Sequence, residues 1–463
     1  MRPPLNHANM LKNLPNLLLT IVVAACLLGG GGVAYGLSNL VVQLIAFAVL
    51  AFNGDVIWGF VTKAPKGLVA LVIATIALPA IQLVPLPPAV WTTLPGRELV
   101  SEAVNMFGAP GWRAVTVNSA RTLVALIGLV VPVTIVAAGV FLSEDARQRI
   151  AVAYVALGVA SVLLGAFQVM GTNQVGLLYP ENPLPGVLFG FFANRNSVAV
   201  FLVSCLLLLV CCFPPQRLLS PRWTVQFLSG VLMVVAVVLT QSRTGITLLS
   251  LPFSLALLRT FSQRSQAKRP GQEQDLSFGR MGRVGIILAA AAALGLASVA
   301  AIPGSRLDTV IARFEEDTQR RPEIWENARY SAERFWPAGA GMGNFDEVYQ
   351  VDESLEHISI RRAGRAHNEI LELAIEAGPF GLILLAAWCI WALSAGWAAM
   401  QDERRRWQAL AGGGILLASA LQSLLDFPLR NQTMLCMAAF AVILLAPPVR
   451  FAQTPAHNEG ATA

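Results

Sequence analysis

Twelve apolar runs of 17 to 29 residues dominate the sequence and restrict the folds open to the chain. A helix needs about 20 mostly apolar residues to cross a bilayer. Only 13% of the residues are charged, against about 25% in a soluble domain. The runs lie at 16–36, 38–55, 66–85, 119–142, 148–170, 191–213, 223–240, 243–259, 283–303, 368–396, 408–425 and 431–448. The sequence therefore predicts an all-α, polytopic membrane helix bundle of about twelve transmembrane helices.

The distribution of basic residues predicts which side of the membrane each loop faces. If the N-terminus is cytoplasmic, all four lysines (Lys12, Lys63, Lys66 and Lys268) face the cytoplasm, as the positive-inside rule expects. Three long segments, 86–118, 171–190 and 304–367, then lie outside. The net charge of +6 is spread over short loops and does not indicate a nucleic-acid partner.

The predicted topology divides the chain into four parts. Residues 1–303 hold transmembrane helices 1–9, residues 304–367 form a large periplasmic loop, residues 368–448 hold helices 10–12, and residues 449–463 form a cytoplasmic tail. The large loop should be partly helical, with Pro322 as a first helical residue. The GAGMG of residues 339–343 follows this helix and not a strand, which predicts a tight turn and excludes a dinucleotide fingerprint.

A cluster of ionisable residues opens the tenth predicted span, in RAHNEILELAIEAG at 365–378. His367 and Asn368 are followed by Glu369, Glu372 and Glu376, whose spacing puts the acids on one helix face. Ionisable groups at this depth are costly, so they are usually turned toward a cavity or a partner. Because the ordinary pKa of imidazole suits general-base work, His367 is the candidate proton acceptor.

Three arginines are candidates for binding phosphate at the same membrane depth. Arg243 lies in LTQSRTG, Arg195 in FFANRNS, and Arg321 at the start of the loop helix. The planar guanidinium binds phosphate in a bidentate manner, which suits a lipid diphosphate. The competing interpretation is an interfacial anchor, or an ion pair with a loop carboxylate. Metal-site motifs such as HExxH are absent, so the predicted chemistry uses neither metal nor cofactor.

Together these motifs make the chain resemble the O-antigen ligase and O-antigen polymerase superfamily of bacterial polysaccharide assembly. The resemblance rests on SRTG after a central span, RRPEIW and PAGAGMGNF in the large loop, and AHNEILELAIEAGPFGL entering the next span. It implies a membrane-embedded glycosyltransferase of the bacterial inner membrane, with its active site facing the periplasm. Such enzymes transfer a glycan from undecaprenyl diphosphate to an acceptor hydroxyl, inverting the anomeric centre without metal.

The resemblance also implies roles for individual residues. His367 corresponds to the loop histidine of the superfamily and would be the catalytic base. Arg243 and Arg321 correspond to its arginines and would bind the diphosphate, together with Arg195. Four residues are predicted to support the site: Asn196, Asn368, Glu369 and Glu372. Glu369 or Glu372 would orient the imidazole, and the acid stripe would line a polar cavity for sugars.

Several alternatives stay open at this point. A ligase would attach the finished glycan to a lipid, glycan or protein acceptor, as in lipopolysaccharide or exopolysaccharide assembly, whereas a polymerase would extend the lipid-linked glycan. A transporter or flippase of lipid-linked or small solutes would also have many helices and intramembrane charges, but such proteins tend to contain internal repeats. A structural scaffold would leave the histidine and the arginines without a purpose. The sequence does not identify the sugar, the acceptor, the product length or the oligomeric state.

Overall fold

A computed structural model describes nine stretches of the chain: 7–32, 35–108, 110–170, 178–179, 186–213, 216, 219–267, 306–356 and 363–449. For residues 7–12, 263–267 and 306–320 only the backbone is described. The predicted ninth span at 283–303 lies outside the described residues, as do most of the second outer segment and all but the first residue of the tail.

The described chain is helical, apart from one short hairpin. Its first part contains α1 (His7–Leu28), α2 (Gly36–Phe52), α3 (Gly54–Lys63), α4 (Lys66–Gln82), β1 (Pro85–Leu86), α5 (Pro88–Trp91), α6 (Glu98–Asn105), β2 (Arg113–Ala114), α7 (Ser119–Gly128), α8 (Val130–Gly139) and α9 (Glu144–Met170). Its second part contains α10 (Arg195–Cys212), α11 (Pro221–Leu239), α12 (Arg243–Leu248), α13 (Ser250–Ala267), α14 (Arg306–Phe335), α15 (Phe345–Asp352), α16 (Glu369–Met400), α17 (Arg406–Ser423), a 3₁₀ turn (Pro428–Arg430) and α18 (Gln432–Leu445).

The predicted helix bundle is confirmed, whereas the predicted number of spans is not. Helices cover all the predicted runs that fall within the described residues. Six helical segments of the described chain are long and apolar enough to cross a membrane, and a seventh results if α2 and α3, bent by 77°, form one broken span. Three further apolar helical segments are shorter than 18 residues: Asn13–Leu28 within α1, Lys66–Gln82 and Gln432–Leu445. Because some apolar runs fold as short or broken helices, the described residues do not confirm twelve spans.

Helix α10 lies at the centre of the bundle. It packs against α9, α11, α13 and α17, and nearly all of its side chains from Ser197 to Leu208 are buried. Helix α18 is buried in the same way, between α8 and α17. Both sequences are apolar on all sides, which is typical of helices that are surrounded by other helices. These two helices fix the relative positions of the polar loops at their ends.

The two ends of α18 carry different polar groups. At its N-terminus, the Asn431 Nδ2 donates to the Ser197 Oγ at 3.4 Å. At its C-terminus, the carbonyl of Ala446 accepts hydrogen bonds from Arg147 (3.1 Å) and Arg405 (2.8 Å). The 14 residues of the helix separate these ends by about 21 Å. We call the end that contains Asn431 the site end of the bundle.

A kink in α16 anchors the large loop to the bundle. Pro379 has no N–H to offer the carbonyl of Ile375, and the Ala340 N–H donates to that carbonyl at 2.8 Å instead. The neighbouring carbonyl of Glu376 accepts from the Gly341 N–H at 2.9 Å. The predicted glycine turn is confirmed: Gly341 has a φ of +102°, and a Cβ there would lie 2.0 Å from the Thr116 Oγ1.

The loop helix starts earlier than the sequence suggests. Pro322 was expected to open the helix, but α14 begins at Arg306 and contains Pro322 in its interior. A proline removes one backbone hydrogen bond, and here this loss does not end the helix. The buried face of α14, including Ala328 and Phe335, packs with Phe345 of α15 and Ile375 of α16 in a small apolar cluster. This cluster holds the loop helices against the start of α16.

Candidate functional site

His367 occupies a constrained position immediately before α16. Asn368 caps the helix, because its Oδ1 accepts from the Leu371 N–H at 3.1 Å. His367 itself has a φ of +51°, a left-handed conformation that is unfavourable for a residue with a Cβ. The preceding residue, Ala366, is fixed on both sides: its carbonyl accepts from the Trp325 Nε1 at 2.8 Å, and its N–H donates to the Glu372 Oε1 at 2.9 Å. Loop and helix together therefore determine where the imidazole lies.

A buried carboxylate orients the imidazole. The Nδ1 of His367 lies 3.0 Å from the Oδ1 of Asp426, which follows α17 in the chain. Asp426 is fully buried, and its Oδ2 accepts from the Asn194 Nδ2 at 3.2 Å. An ionised carboxylate only accepts hydrogen bonds, so Nδ1 carries the proton of this pair. The Nε2 of His367 is then the nitrogen that can accept a proton.

Two further predicted residues, Asn196 and Arg321, act on the same carboxylate. Burial alone would raise the pKa of Asp426, but the hydrogen bond and charge of His367 oppose it. A hydrogen bond from Asn196 and the charge of Arg321 add to this effect, and the resulting pKa lies below the ordinary value. Four residues that are distant in the sequence thus converge at one point.

The imidazole is accessible, although its partner is not. The side chain of His367 is 36% exposed, whereas that of Asp426 is 1% exposed. One side of the imidazole is covered by Phe427, whose ring centroid lies 5.1 Å away, and the guanidinium of Arg365 lies over the same phenyl ring. His367 is therefore open to solvent, while the carboxylate that contacts it is buried.

The acid stripe of α16 differs from its predicted role. Glu372 and Glu376 are completely buried and do not line an open cavity. Arg430 bridges them, at 3.2 Å from the Glu372 Oε2 and 2.9 Å from the Glu376 Oε2. Arg365 also contacts Glu372, at 3.1 Å. Buried carboxylates require compensating charge, and the two arginines supply it.

The same ion pairs shift the pKa of Arg430. Burial by itself would lower the pKa of its guanidinium, but the charges of Glu376 and then Glu372 outweigh this and raise the pKa. The third acid, Glu369, accepts from the Ser423 Oγ and the Leu429 N–H, both at 2.8 Å. In the described contacts the partner of the imidazole is Asp426, and the acids of the stripe hold the loop after α17 in place.

Arg195 and Arg243 lie at the first residues of two helices at the site end. Arg195 follows Asn194, which caps α10 and contacts Asp426. Arg243 opens α12, which is capped by the Ser242 Oγ and packs closely on α10 through Gly245. The structure therefore brings His367, Asn196 and Arg321 together around Asp426, and it places Arg195 and Arg243 at adjacent helix starts.

Sequence reasoning missed the segment DFPLRN at 426–431. It supplies the partner of His367 through Asp426, the partner of the acid stripe through Arg430, and the cap of α18 through Asn431. The available signal was an acid and a base within a six-residue link between two apolar helices. Among the described residues, no group of three or more His, Cys, Asp or Glu side chains is arranged to hold a metal ion.

Comparison with known families points to one class of protein. Residues 228–386 match the model of the O-antigen ligase family, a segment that includes Arg243, Arg321 and His367. The resemblance to the O-antigen ligase and polymerase superfamily is thereby shown for a helical membrane protein. No curated protein matches the chain significantly. The family match supports a general O-antigen ligase-like or polymerase-like function, and it gives no support to the transporter alternative.

Proposed function

We propose that the protein transfers a glycan from an undecaprenyl-diphosphate-linked donor to an acceptor hydroxyl at the periplasmic face of the bacterial inner membrane. The proposal rests chiefly on the contact of His367 with the buried Asp426, at the site end of a helix bundle that resembles O-antigen ligases. A histidine held by a carboxylate is the arrangement needed to activate a weak hydroxyl nucleophile.

In the proposed reaction, His367 acts as the general base. The acceptor hydroxyl gives its proton to Nε2 as its oxygen attacks the anomeric carbon of the donor sugar. The bond between that carbon and the diphosphate oxygen breaks, and the electron pair leaves with the diphosphate. Attack opposite to the leaving group inverts the anomeric centre. Asp426 stabilises the imidazolium that forms, and the proton is afterwards released to solvent or to the diphosphate.

The leaving diphosphate requires positive groups at fixed positions. Arg321, Arg195 and Arg243 are proposed to bind it, because arginine pairs with phosphate oxygens in a bidentate manner. The N-termini of α10 and α16, capped by Asn194 and Asn368, add the positive ends of two helix dipoles at the same end. Such fixed donors stabilise the charge that develops in the transition state.

The proposed orientation puts the site end in the periplasm. Arg147 and Arg405 lie in two short predicted loops that the same positive-inside assignment puts in the cytoplasm, and they meet at the opposite end of α18. The lysine distribution supports the same orientation under the positive-inside rule. Lipid-linked donors displayed on the outer leaflet would then reach His367 without crossing the membrane.

Purified protein in lipid nanodiscs, given a lipid-linked donor and an acceptor without any ion gradient, tests the proposal. Wild-type protein should form the new glycosidic bond, and His367→Ala should reduce the rate by about 10²–10⁴-fold. Arg149→Gln, which removes an exposed arginine at the start of α9, serves as the control and should keep wild-type rates. Unchanged transfer by His367→Ala, at equal protein level, would exclude the mechanism.

A deletion strain separates the two activities that the proposal includes. Single-repeat lipid-linked glycans should accumulate if the protein is a polymerase. Long lipid-linked chains should accumulate if it is a ligase that acts on the finished glycan. A normal glycan profile would contradict both assignments.

A further inference from the structure

A second candidate site lies in the first outer segment, apart from His367. The hairpin of β1 and β2 brings Pro85 opposite Ala114 and closes this segment, which also contains α5 and α6. The segment encloses a cavity of about 280 Å³. Its lining includes two arginines, two tryptophans and two hydroxyl side chains: Arg97, Arg113, Trp91, Trp112, Thr116 and Ser119.

Arg97 is the buried cation of this cavity. Its side chain is 2% exposed and donates to three carbonyls, those of Pro95 (3.0 Å), Val115 and Gly339 (2.8 Å). Its buried Nε has no hydrogen-bond partner within the described part of the chain. Burial lowers the pKa of Arg97 to about 10, and the charge of Glu98 counteracts this in part. Arg97 therefore places a buried positive charge in the lining of the cavity, which favours an anionic ligand.

Arg113 and the tryptophans complete the lining. The guanidinium of Arg113 lies over the ring of Trp91, 5.7 Å from its centroid, and the Trp91 Nε1 donates to the Gly111 carbonyl at 2.9 Å. Trp112, the residue before Arg113, is 68% exposed. Its face is broad, apolar and electron-rich, which suits contact with the C–H groups of a sugar ring. The lining thus combines an aromatic surface with two cationic donors.

The cavity adjoins the framework of the transfer site. Its residue Thr116 donates a backbone N–H to the Gln82 carbonyl at 3.0 Å. The Gln82 side chain bridges the Glu376 carbonyl (2.9 Å) and the Met342 N–H (2.9 Å). The cavity is therefore attached to the same glycine turn and the same helix kink that hold the loop before His367.

We propose that this cavity binds one acidic sugar residue of the glycan substrate, with the carboxylate between Arg97 and Arg113 and the sugar ring against Trp112. The volume of about 280 Å³ lies just below the range of drug-sized ligand sites, about 300–1,000 Å³, and suits a single sugar residue. This inference rests on the proposed glycan transfer for its substrate and adds that the substrate carries a carboxylate.

Binding of simple sugars to the full-length protein in nanodiscs tests the inference. Titration with glucuronate should show saturable binding at least about tenfold tighter than that of glucose, because a charge-assisted hydrogen bond discriminates by this order. Arg113→Gln and Trp112→Ala should each weaken glucuronate binding about tenfold. Arg149→Gln, which lies outside the cavity, is the matched arginine control and should bind as the wild type does.

The choice of variants keeps the test interpretable. Arg97 supports three loop carbonyls, so its substitution endangers the fold, whereas Arg113 and Trp112 are exposed and replaceable. Three results would each overturn the inference: equal affinity for glucose and glucuronate, complete displacement of glucuronate by equimolar inorganic phosphate, or unchanged binding by Arg113→Gln.

The His367→Ala variant separates this inference from the proposed function. It should bind glucuronate with wild-type affinity while losing transfer. If the wild type transfers glycans but does not bind glucuronate, the acidic-sugar site alone is wrong. If glucuronate binds and no donor supports transfer, the proposed reaction is wrong and the cavity is retained as a binding site for acidic sugars.

Discussion

Arg430 connects the segment between α17 and α18 to the buried acids of α16. Its replacement by glutamine tests how much these ion pairs stabilise the protein. In the wild type, its guanidinium contacts both Glu372 and Glu376, whose side chains are 0% exposed. In Arg430→Gln, Glu372 keeps Arg365, but Glu376 loses the arginine that the structure places beside it. The variant therefore leaves a buried carboxylate without a compensating charge.

The expected cost follows from the burial of this ion pair. Removing one partner of a buried pair destabilises a protein by about 3–5 kcal/mol, because the remaining charge stays away from water. With an unfolding entropy of about 2.1 cal/mol/K per residue, a chain of 463 residues would lose roughly 3–5 °C in its melting temperature. Membrane helices persist after unfolding and lower the entropy, so this shift is a lower bound.

Thermal unfolding of detergent-solubilised protein, followed by size-exclusion chromatography after heating, measures the effect. Adding Glu376→Gln to Arg430→Gln should recover at least half of the loss, because the second change removes the uncompensated charge. A melting temperature of Arg430→Gln equal to that of the wild type would refute the reasoning. So would a double variant that is less stable than Arg430→Gln alone.

Further expectations concern the site and the glycine turn. Asp426→Asn should lower kcat of glycan transfer by about 10²–10³-fold with little change in KM, as measured by initial rates, since the imidazole loses its orienting charge. Because the pKa of Asp426 is depressed in the folded protein, its stabilising contribution is complete above the ordinary value of 3.8 and is lost as the pH falls through the folded value. As the pH falls from 3.8 through the folded value, the stability advantage of the wild type over Asp426→Asn should therefore disappear, which acid-unfolding curves of the two proteins measure. Arg321→Gln should slow transfer by about 10²–10³-fold, measured with saturating acceptor, if it stabilises the leaving diphosphate. Gly341→Ala should lower the melting temperature through a cost of about 1–3 kcal/mol, because its φ is +102° and its Cβ would meet Thr116, whereas Gly413→Ala, with open space around the Cβ, should not.

The position of His367 is fixed partly by local contacts and partly by contacts with residues that are distant in the sequence. Asn368 caps α16 through a contact within four residues, which the sequence motif could indicate. The left-handed backbone of His367, by contrast, is held by Trp325 through Ala366 and by Asp426 through the imidazole. The strain at this position is tolerated because these long-range contacts outweigh it.

Local chemistry was readable from the sequence. Apolar runs predicted helices, because a bilayer leaves the backbone no other way to satisfy its hydrogen bonds within one segment. The glycines at 339, 341 and 343 predicted a turn, since glycine has no Cβ and therefore adopts a positive φ without steric cost. The resemblance to O-antigen ligases likewise depended on short motifs, which the family match at 228–386 supports.

Only the tertiary structure decided which charges meet. Asp426 lies 59 residues from His367 in the chain, and Arg430 lies 54 residues from Glu376. The periodicity of α16 puts its acids on one face, but it cannot distinguish an open, sugar-lined cavity from a buried ion-pair network, because both present the same face inward. That distinction depends on which side chains the segment between α17 and α18 places beside the acids. It is decided by packing between elements and not by any local pattern.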